Sequence, residues 1–584
     1  MRKLFFKTGT ASEFLLLLGH FYLNRHGLPI PVIDEDSKLL THLMKTYEIK
    51  YSIGKHTLDQ TITGYDITWG ALVLFTFLMS IQTLRSPQNI KKGRTFAGIT
   101  TLLWLVCLIA GLMYWSPPQQ IPFGLLFLSF LLSYLFEWNQ PTPKNTRVCV
   151  VGAGISGLTA AYELHKKGYS NVTVLEKAAQ VGGKCATKTV QWHPYDLGGH
   201  EMLAGYTDAI QMAEELGALT RTSIPPLVYD RDKKQYLNFK QAATISGKYS
   251  LFQVVIASLK YLFLVTFTFR NFSKPATGYK DVPAELSVPL HEWLENRKLS
   301  ALTDILSFVV KVQGYGHFRS TSAAYLVKFM GFKNWLSLLL SGMGLSKKWP
   351  RVFTYGMNNV CQRIAAAIPD VRVNTNILKI ERHTEGGNLE ASQGIKIYLD
   401  SQSEPLVFDK LIICTSLEIS NLGFLDLTQT EQALFEQIQF VRFITTLCEV
   451  QGLPGGVVAS IPFNNINKGE YTGYIKDFDE APFATFFSIA DATMTGKYIE
   501  EEIDRVLVNL PQYMGQNPKV LRVIEQRDWK YFPYVASTAI AGGFYDQLES
   551  QQGNNQTYYA SSLLSFECVG NCVAYTKRLI NNSF

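Results

Sequence analysis

Charge is what this sequence has least of. Asp, Glu, Lys and Arg make up 18% of the 584 residues, whereas apolar and aromatic types make up 47%; a typical soluble domain is about 25% charged. That balance disfavours a wholly soluble chain, and the charge that remains disfavours a chain lying wholly in lipid, so a membrane segment joined to a soluble module is expected. The charge is not concentrated either. The formal net charge is +7, and without a Lys/Arg-dense tract or a zinc-finger spacing no nucleic-acid partner is expected. Cysteine is also sparse. The eight residues Cys107, Cys149, Cys185, Cys361, Cys414, Cys448, Cys568 and Cys572 lie scattered in apolar stretches, which suits a reducing compartment without disulfides. Cys568 and Cys572 stand four apart, but no His or second Cys pair completes a metal site, so no metal is expected. No internal repeat or low-complexity segment is present.

Three long apolar runs do occur, Ile67 to Leu84, Ala97 to Trp115 and Ile121 to Trp138, each near the ~20 residues that cross a bilayer as a helix. They predict three transmembrane helices within a membrane region at 1–140. The connection after the first run holds Arg85, Lys91, Lys92 and Arg94, and the next, Ser116 to Gln120, holds no charge. By the positive-inside rule the basic loop is cytoplasmic, and the chain after the third helix returns to that side. The protein is therefore expected in a membrane, multi-pass, with its soluble module on the cytoplasmic face. A shorter run, Phe14 to Leu23, is open between a fourth span, an interfacial helix and a signal-like segment.

After the turn-rich linker Asn139 to Asn145, Arg147-Val-Cys-Val-Val151 reads as a buried strand. It leads into Gly152-Ala-Gly154-Ile155-Ser156-Gly157 and a helical pattern through Lys167. Strand, glycine turn and helix in this order form the dinucleotide fingerprint. Gly152 allows the tight turn, Gly154 a close backbone approach to a diphosphate, and Gly157 close packing of helix on strand, with the diphosphate at the positive helix end. A second strand, Asn171 to Leu175, ends at Glu176 and Lys177, about 20 residues past the last glycine, where a carboxylate reaches a ribose. No second G-x-G-x-x-G follows and no Cys-x-x-x-x-Cys lies near the first, which argues against a two-dinucleotide disulfide reductase.

The next segments, Gln180-Val-Gly182-Gly183-Lys184 and Tyr195-Asp-Leu-Gly198-Gly199-His200, resemble the flavin-containing amine oxidase superfamily, which includes carotenoid desaturases and protoporphyrinogen oxidase. The resemblance implies FAD. By position, Glu176 would hold the ribose, Gly182, Gly183 and Lys184 would line pyrophosphate and ribitol, and Gly198, Gly199 and His200 would face the isoalloxazine. Tyr355 to Ile364 with the strand around Val373 looks like the return to the nucleotide domain and its adenine-side strand, and Lys410 to Thr415 like the strand that closes the sheet. Thr557 to Tyr575 resembles the final strand, loop and helix, with Ser562 near the ribitol and Val569 at a helix start aimed at the ring. Where the family has Gly followed by Asp or Glu, this chain has Ser561-Ser562, so a hydroxyl stands in for a carboxylate. Within the superfamily the likeness is nearest to polyenoic fatty acid isomerase-like flavoproteins, through Val181 to Cys185, Pro289 to Leu294, Trp529 to Pro533 and Ala541 to Tyr545.

The expected fold is therefore α/β: a Rossmann-type FAD-binding domain from 146–204, 351–415 and 531–584, carrying an α+β substrate lobe from 205–350 and 416–530. The lobe is apolar. Tyr249 to Phe269 reads either as a core helix pair or as a membrane-facing entry for lipid. His200, Tyr315, His317 and Lys328 are candidates for groups near the ring, and catalytic residues remain unassigned. The resemblance implies an FAD-dependent oxidoreductase acting on a lipophilic molecule by double-bond isomerisation or desaturation, with the electron acceptor open. A flavin amine oxidase, a non-catalytic flavin-binding membrane protein, and a catalytic N-terminal bundle served by the flavin stand as alternatives.

Overall fold

The structure is a computed structural model that describes residues 143–584 apart from His317, 383–393, 462–468 and Glu470. Of the N-terminal part it describes 48–51, 54–57 and four scattered positions. The three long apolar runs and Phe14 to Leu23 thus lie almost wholly outside the described residues, as does the candidate His317. The chain divides into two compact units, Met1–Thr142 and Pro143–Phe584. In the first, Glu48–Tyr51 and Gly54–Thr57 pair as an antiparallel hairpin, within a stretch the sequence marks only as a polar connection.

The second unit is built on a five-stranded sheet of β1 (Val148–Val151), β2 (Val172–Leu175), β3 (Val371–Arg372), β4 (Lys410–Ile413) and β5 (Thr557–Tyr559). Their order is β3-β2-β1-β4-β5, with every neighbouring pair parallel. Parallel strands covered on both faces need apolar side chains on both. Hence β1 and β2 read as unbroken apolar or small runs, and all eight of their residues are buried. Helices α1 (Ile155–Lys166), α2 (Met357–Ala366) and α3 (Val569–Ser583) belong to the same layer, and α1 packs against both of the others. The chain leaves β1 toward β2 and β3 on one side and returns to β4 and β5 on the other. The carboxyl ends of β1 and β4 therefore border the crevice where such sheets bind nucleotides. Lys410 to Thr415 was expected to close the sheet. Instead β4 sits inside it, and β5 takes the edge.

The two insertions meet in one seven-stranded sheet. Its order is Lys519–Tyr534, Gln439–Gln451, Phe483–Ala490, Tyr471–Lys476, Gly456–Ile461, Leu227–Asp230 and Gln235–Asn238. All pairings are antiparallel except that of Gly456–Ile461 with Leu227–Asp230, which is the seam between the insertions. The strand Lys519–Tyr534 runs 16 residues without a break, so the lobe extends past the boundary at 531 read from sequence. The helix Leu251–Phe263, started by a reciprocal cap between Ser250 and Gln253, continues into a π-helical turn at Leu264–Thr268. It is one helix, not a pair. Its inner face carries Val254, Ala257, Tyr261 and Leu262 into the core, where the Tyr261 hydroxyl donates to the Met330 carbonyl at 3.0 Å.

Candidate functional site

Gly152 closes β1 with φ at +97°, a conformation that side chains with a Cβ rarely adopt, and its N–H donates to the Leu175 carbonyl at 2.8 Å. A Cβ on Gly157 would sit 1.9 Å from the Gly152 carbonyl oxygen, so α1 can lie against the turn only without a side chain there. Gly154 differs. A Cβ there would meet no atom within 4 Å, because this position opens on the crevice. Gly154 is also the N-cap of α1, with no side-chain cap and no acidic residue in the first turn. The amides around Ile155, Ser156 and Gly157 are thus the uncapped head of a helix, whose first N–H groups lack intrahelical acceptors and carry positive potential.

The acidic residue after β2 is tied to that turn. Glu176 accepts from the Ala153 amide at 2.7 Å through one oxygen and from the Ala178 amide at 2.8 Å through the other, leaving its remaining lone pairs for a sugar hydroxyl. Lys177 is exposed beside it. Val373, 37% exposed, follows β3, whose Arg372 carbonyl accepts from the Glu176 amide at 2.8 Å. The Gly182-Gly183 loop leans onto the turn, the Gly182 amide donating to the Ala153 carbonyl at 2.8 Å. From the other side Asn358 of α2 donates to the carbonyls of Val181 and Cys185 at 2.8 and 3.0 Å. A Cβ on Gly182 would lie 2.4 Å from that amide nitrogen.

The third loop is stitched to the second. Leu197 and Gly199 donate to the Ala186 and Lys184 carbonyls at 2.8 and 3.0 Å, and a Cβ on Gly198 would fall 1.8 Å from the Lys184 oxygen. The lobe holds it from above, where Trp529 Nε1 and the Thr445 hydroxyl donate to the Leu197 carbonyl at 2.7 and 2.8 Å. Gly199 abuts the start of α3, where an added Cβ would be 3.2 Å from Val569. Like α1, α3 begins without a side-chain cap. Two bare helix heads and three glycine loops thus line one crevice at the carboxyl ends of β1, β2 and β4. They fit a dinucleotide, because each helix head offers unbonded amides to an anion and the glycine loops leave room for it.

A family model for flavin containing amine oxidoreductase matches residues 155–555, more than half of the chain. The chain belongs to this family. It is an FAD-dependent, oxidoreductase-like enzyme. Among curated proteins the chain is 24% identical over 317 residues to the polyenoic fatty acid isomerase of Ptilota filicina, covering 50% of this chain and 60% of that one. It is 23% identical over 486 residues to an uncharacterized protein of Acanthamoeba polyphaga mimivirus, covering 76% of this chain and 94% of that one. Among solved structures it shares the fold of a CLA-producing fatty acid isomerase from P. acnes, with TM-score 0.66, 22% identity and coverage of 76% of this chain and 100% of that one. Cyclohexylamine oxidase from Brevibacterium oxydans follows at TM-score 0.54 and 16% identity, covering 75% and 98%.

Next to the third loop the second unit buries a charge cluster assembled from its nucleotide domain and its lobe. His200 Nε2 meets Asp477 Oδ2 at 3.0 Å, and Arg221 donates to the other oxygen at 3.2 Å. Burial opposes protonation of His200, but the facing Asp477 outweighs it and lifts the imidazole to about 9. Burial also works against ionisation of Asp477, yet His200 and Arg221 bring it below the usual carboxylate range. Asp196, behind the loop, is raised by burial to about 6 although the Met357 amide and Thr187 hydroxyl donate to it. The second ring nitrogen of His200, Nδ1, is buried without a hydrogen-bond partner among the described residues.

Two further departures from expectation concern Ser562 and Lys328. The Ser562 hydroxyl donates to Glu567 at 2.9 Å, and Lys184 meets the same carboxylate at 3.0 Å. A carboxylate is therefore present at the loop before α3, contributed five residues downstream of the position where the family carries one. Lys328 directs its ammonium to the carbonyls of Phe272 and Lys274 and the Thr277 hydroxyl, which makes it a tie between two lobe segments. Tyr315 stacks parallel to Tyr531, ring centroids 6.1 Å apart, in a buried aromatic cluster with Phe329 and Phe566. Beyond Glu201, which follows His200, lies a mainly apolar cavity of about 90 Å³ lined by Leu203, Phe239, Phe329, Met330 and Trp349. Burial raises the Glu201 carboxyl. Sequence reasoning missed Asp477, Glu567 and Asn358. Asn358 stood inside a quoted motif, whereas Asp477 had no local signal. Among the described residues no group of three or more His, Cys, Asp or Glu gathers as a metal site.

Proposed function

We propose that this enzyme is a membrane-anchored FAD-dependent oxidoreductase that removes hydride from a lipophilic substrate, a fatty acyl chain or polyene, and thereby isomerises or desaturates a double-bond system. The observation that carries this reading is the apolar cavity that adjoins Glu201, one residue from the ring-side loop. When bound, FAD supplies a two-electron acceptor at its ring, and a C–H bond held face-on needs positioning more than an acid or base. The mainly apolar lining would orient the chain and exclude water, while the Glu567–Lys184 pair and the head of α3 would offer fixed charge to the bound ring. Return of the hydride to another carbon of the same molecule is isomerisation. Its passage to oxygen or a quinone, together with loss of a proton from the adjacent carbon to water, is desaturation.

A second reading is favoured by Glu201, an acidic group that lines the mainly apolar cavity together with Lys348 and accepts from the Ser223 hydroxyl at 2.9 Å, since an acid there suits a lipophilic amine. Product mass separates the two. Lipids extracted from purified protein and incubated with it should keep their mass on isomerisation or lose two hydrogens on desaturation. Release of peroxide and an aldehyde from amines, with no change in any lipid, would overturn the first reading. Anchoring through 67–84, 97–115 and 121–138 with the flavin unit cytoplasmic is part of the proposal. Protease added to right-side-out vesicles should leave residues 147–584 uncut, and digestion there would refute that orientation.

A further inference from the structure

The helix Leu251–Phe263 has an outer face as apolar as its inner one. Phe252, Ile256, Leu259 and Phe263, at spacings of four, three and four, are 73%, 50%, 52% and 59% exposed, and Phe267 in the π-helical turn prolongs the stripe at 67%. Scattered exposed apolar residues are ordinary, but five large ones in one row are not. Phe263 and Phe267 even contact each other, ring centroids 4.9 Å apart. The segment Leu251–Thr268 has the length and mean hydropathy, 1.8, of a membrane span. Yet its inner face is fastened into the lobe, Tyr261 bonding the Met330 carbonyl and lying 4.8 Å from the Trp335 ring. A helix so fastened rests on a surface and does not cross a bilayer.

Charge says which surface. From Lys240 to Lys274 the chain carries five basic residues, Lys240, Lys248, Lys260, Arg270 and Lys274, and no acidic one. All five are exposed, and they fall before, within and after the apolar stripe. Acidic side chains come near it only from other segments, as where Asp304 accepts from the Ser246 amide at 3.3 Å, so an apolar row on a segment that is itself purely cationic complements anionic lipid headgroups over acyl chains. The same helix also forms the wall of a second apolar cavity, lined by Val254, Val255 and Ser258, that shares Phe239 and Leu338 with the cavity beside Glu201.

We propose that this face of the lobe lies in the headgroup region of an anionic bilayer, parallel to it, and that substrate enters the lobe from that bilayer beneath the helix. The route of entry rests on the lipophilic-substrate reading, whereas the docking does not. The test places a nitroxide label at F252C, F263C and F267C, one at a time, in the full chain reconstituted in nanodiscs of phosphatidylcholine with or without phosphatidylglycerol. L521C, at an exposed residue of the lobe sheet, is the control.

With phosphatidylglycerol, labels at 252, 263 and 267 should collide several-fold more with oxygen than with a water-soluble nickel complex, and the control should show the reverse. Labels open to nickel in both bilayers would overturn the docking. Labels shielded from both reagents would overturn it too, since a protein surface would then cover the face. Separately, F263E/F267E should cut turnover of a bilayer-borne lipid about tenfold while leaving turnover of the detergent-dispersed lipid and the flavin bound per chain unchanged. Equal turnover in both presentations would refute entry from the bilayer. No turnover in either, with labels in lipid and flavin bound, would instead refute the proposed reaction and leave the docking standing.

Discussion

Gly154 and Gly157 share one motif but stand under opposite constraints. A Cβ at 157 would collide with the Gly152 carbonyl oxygen at 1.9 Å, and backbone cannot yield as a side chain can. Gly157→Ala should therefore shift α1, cost about 1–3 kcal/mol and lose flavin together with stability, read as yellow absorbance per chain and denaturation midpoint. At 154 the backbone φ is −71° and the added methyl meets nothing. Gly154→Ala should leave the cofactor-free protein within about 0.5 kcal/mol of the parent and still weaken FAD binding tenfold or more. A variant that binds FAD normally would show that the diphosphate does not pass there. His200 gives the second residue-scale prediction. Its folded value near 9 lies above the ordinary ~6.5 of an unfolded histidine, so the folded state binds its proton more tightly. That contribution, on the order of 2–3 kcal/mol, is complete below pH 6.5 and is lost as pH rises through 9. The midpoint of the parent should fall over that window, and Asp477→Asn should flatten the fall. The glycines were legible because their signal is local. Asp477 and Glu567 were not, since each reaches its place by a long-range pairing or a loop reversal that spacing does not encode.

Strands and helices were legible where periodicity or an unbroken apolar run marks them, as in β1, α1 and β2. They became illegible where tertiary pairing decides. The interior place of β4 follows from its bonds to β1 and β5, and the 16-residue strand Lys519–Tyr534 mixes polar and apolar residues and is half-buried or exposed except at Phe532 and Pro533, its extent set by pairing with Gln439–Gln451. Arg382, after the strand Ile377–Glu381, shows how elements are joined. It is fully buried and donates to Glu431 at 2.8 and 2.7 Å and to Asp426 at 2.6 and 2.7 Å, while Tyr559 of β5 donates to Glu431. Removal of one partner of a buried pair strands the other charge, so Arg382→Met should cost about 3–5 kcal/mol. Neutralising both sides removes that stranded charge. R382M/E431Q should be more stable in urea than R382M alone, and additive losses would show that Glu431 does not need the guanidinium.

At the scale of the whole second unit, the crevice is lined from five separated stretches, 152–157, 176–184, 198–200, 371–373 and 562–569, with the lobe clamping the Leu197 carbonyl. Neither of the two insertions forms the seven-stranded sheet alone, because Leu227–Asp230 pairs with Gly456–Ile461 across the seam. A ligand bound only by the assembled crevice therefore stabilises both parts together, by about 2.7 kcal/mol at a hundredfold excess over its dissociation constant. Stripping FAD should make residues 147–584 more open to protease throughout, and readdition should restore resistance as a single step in the nucleotide domain and the lobe alike. Protection confined to 147–204 and 351–415, with the lobe cut at an unchanged rate, would mean that the sheet spanning the two insertions folds without regard to the cofactor crevice, and that the clamp from Trp529 and Thr445 to Leu197 transmits nothing.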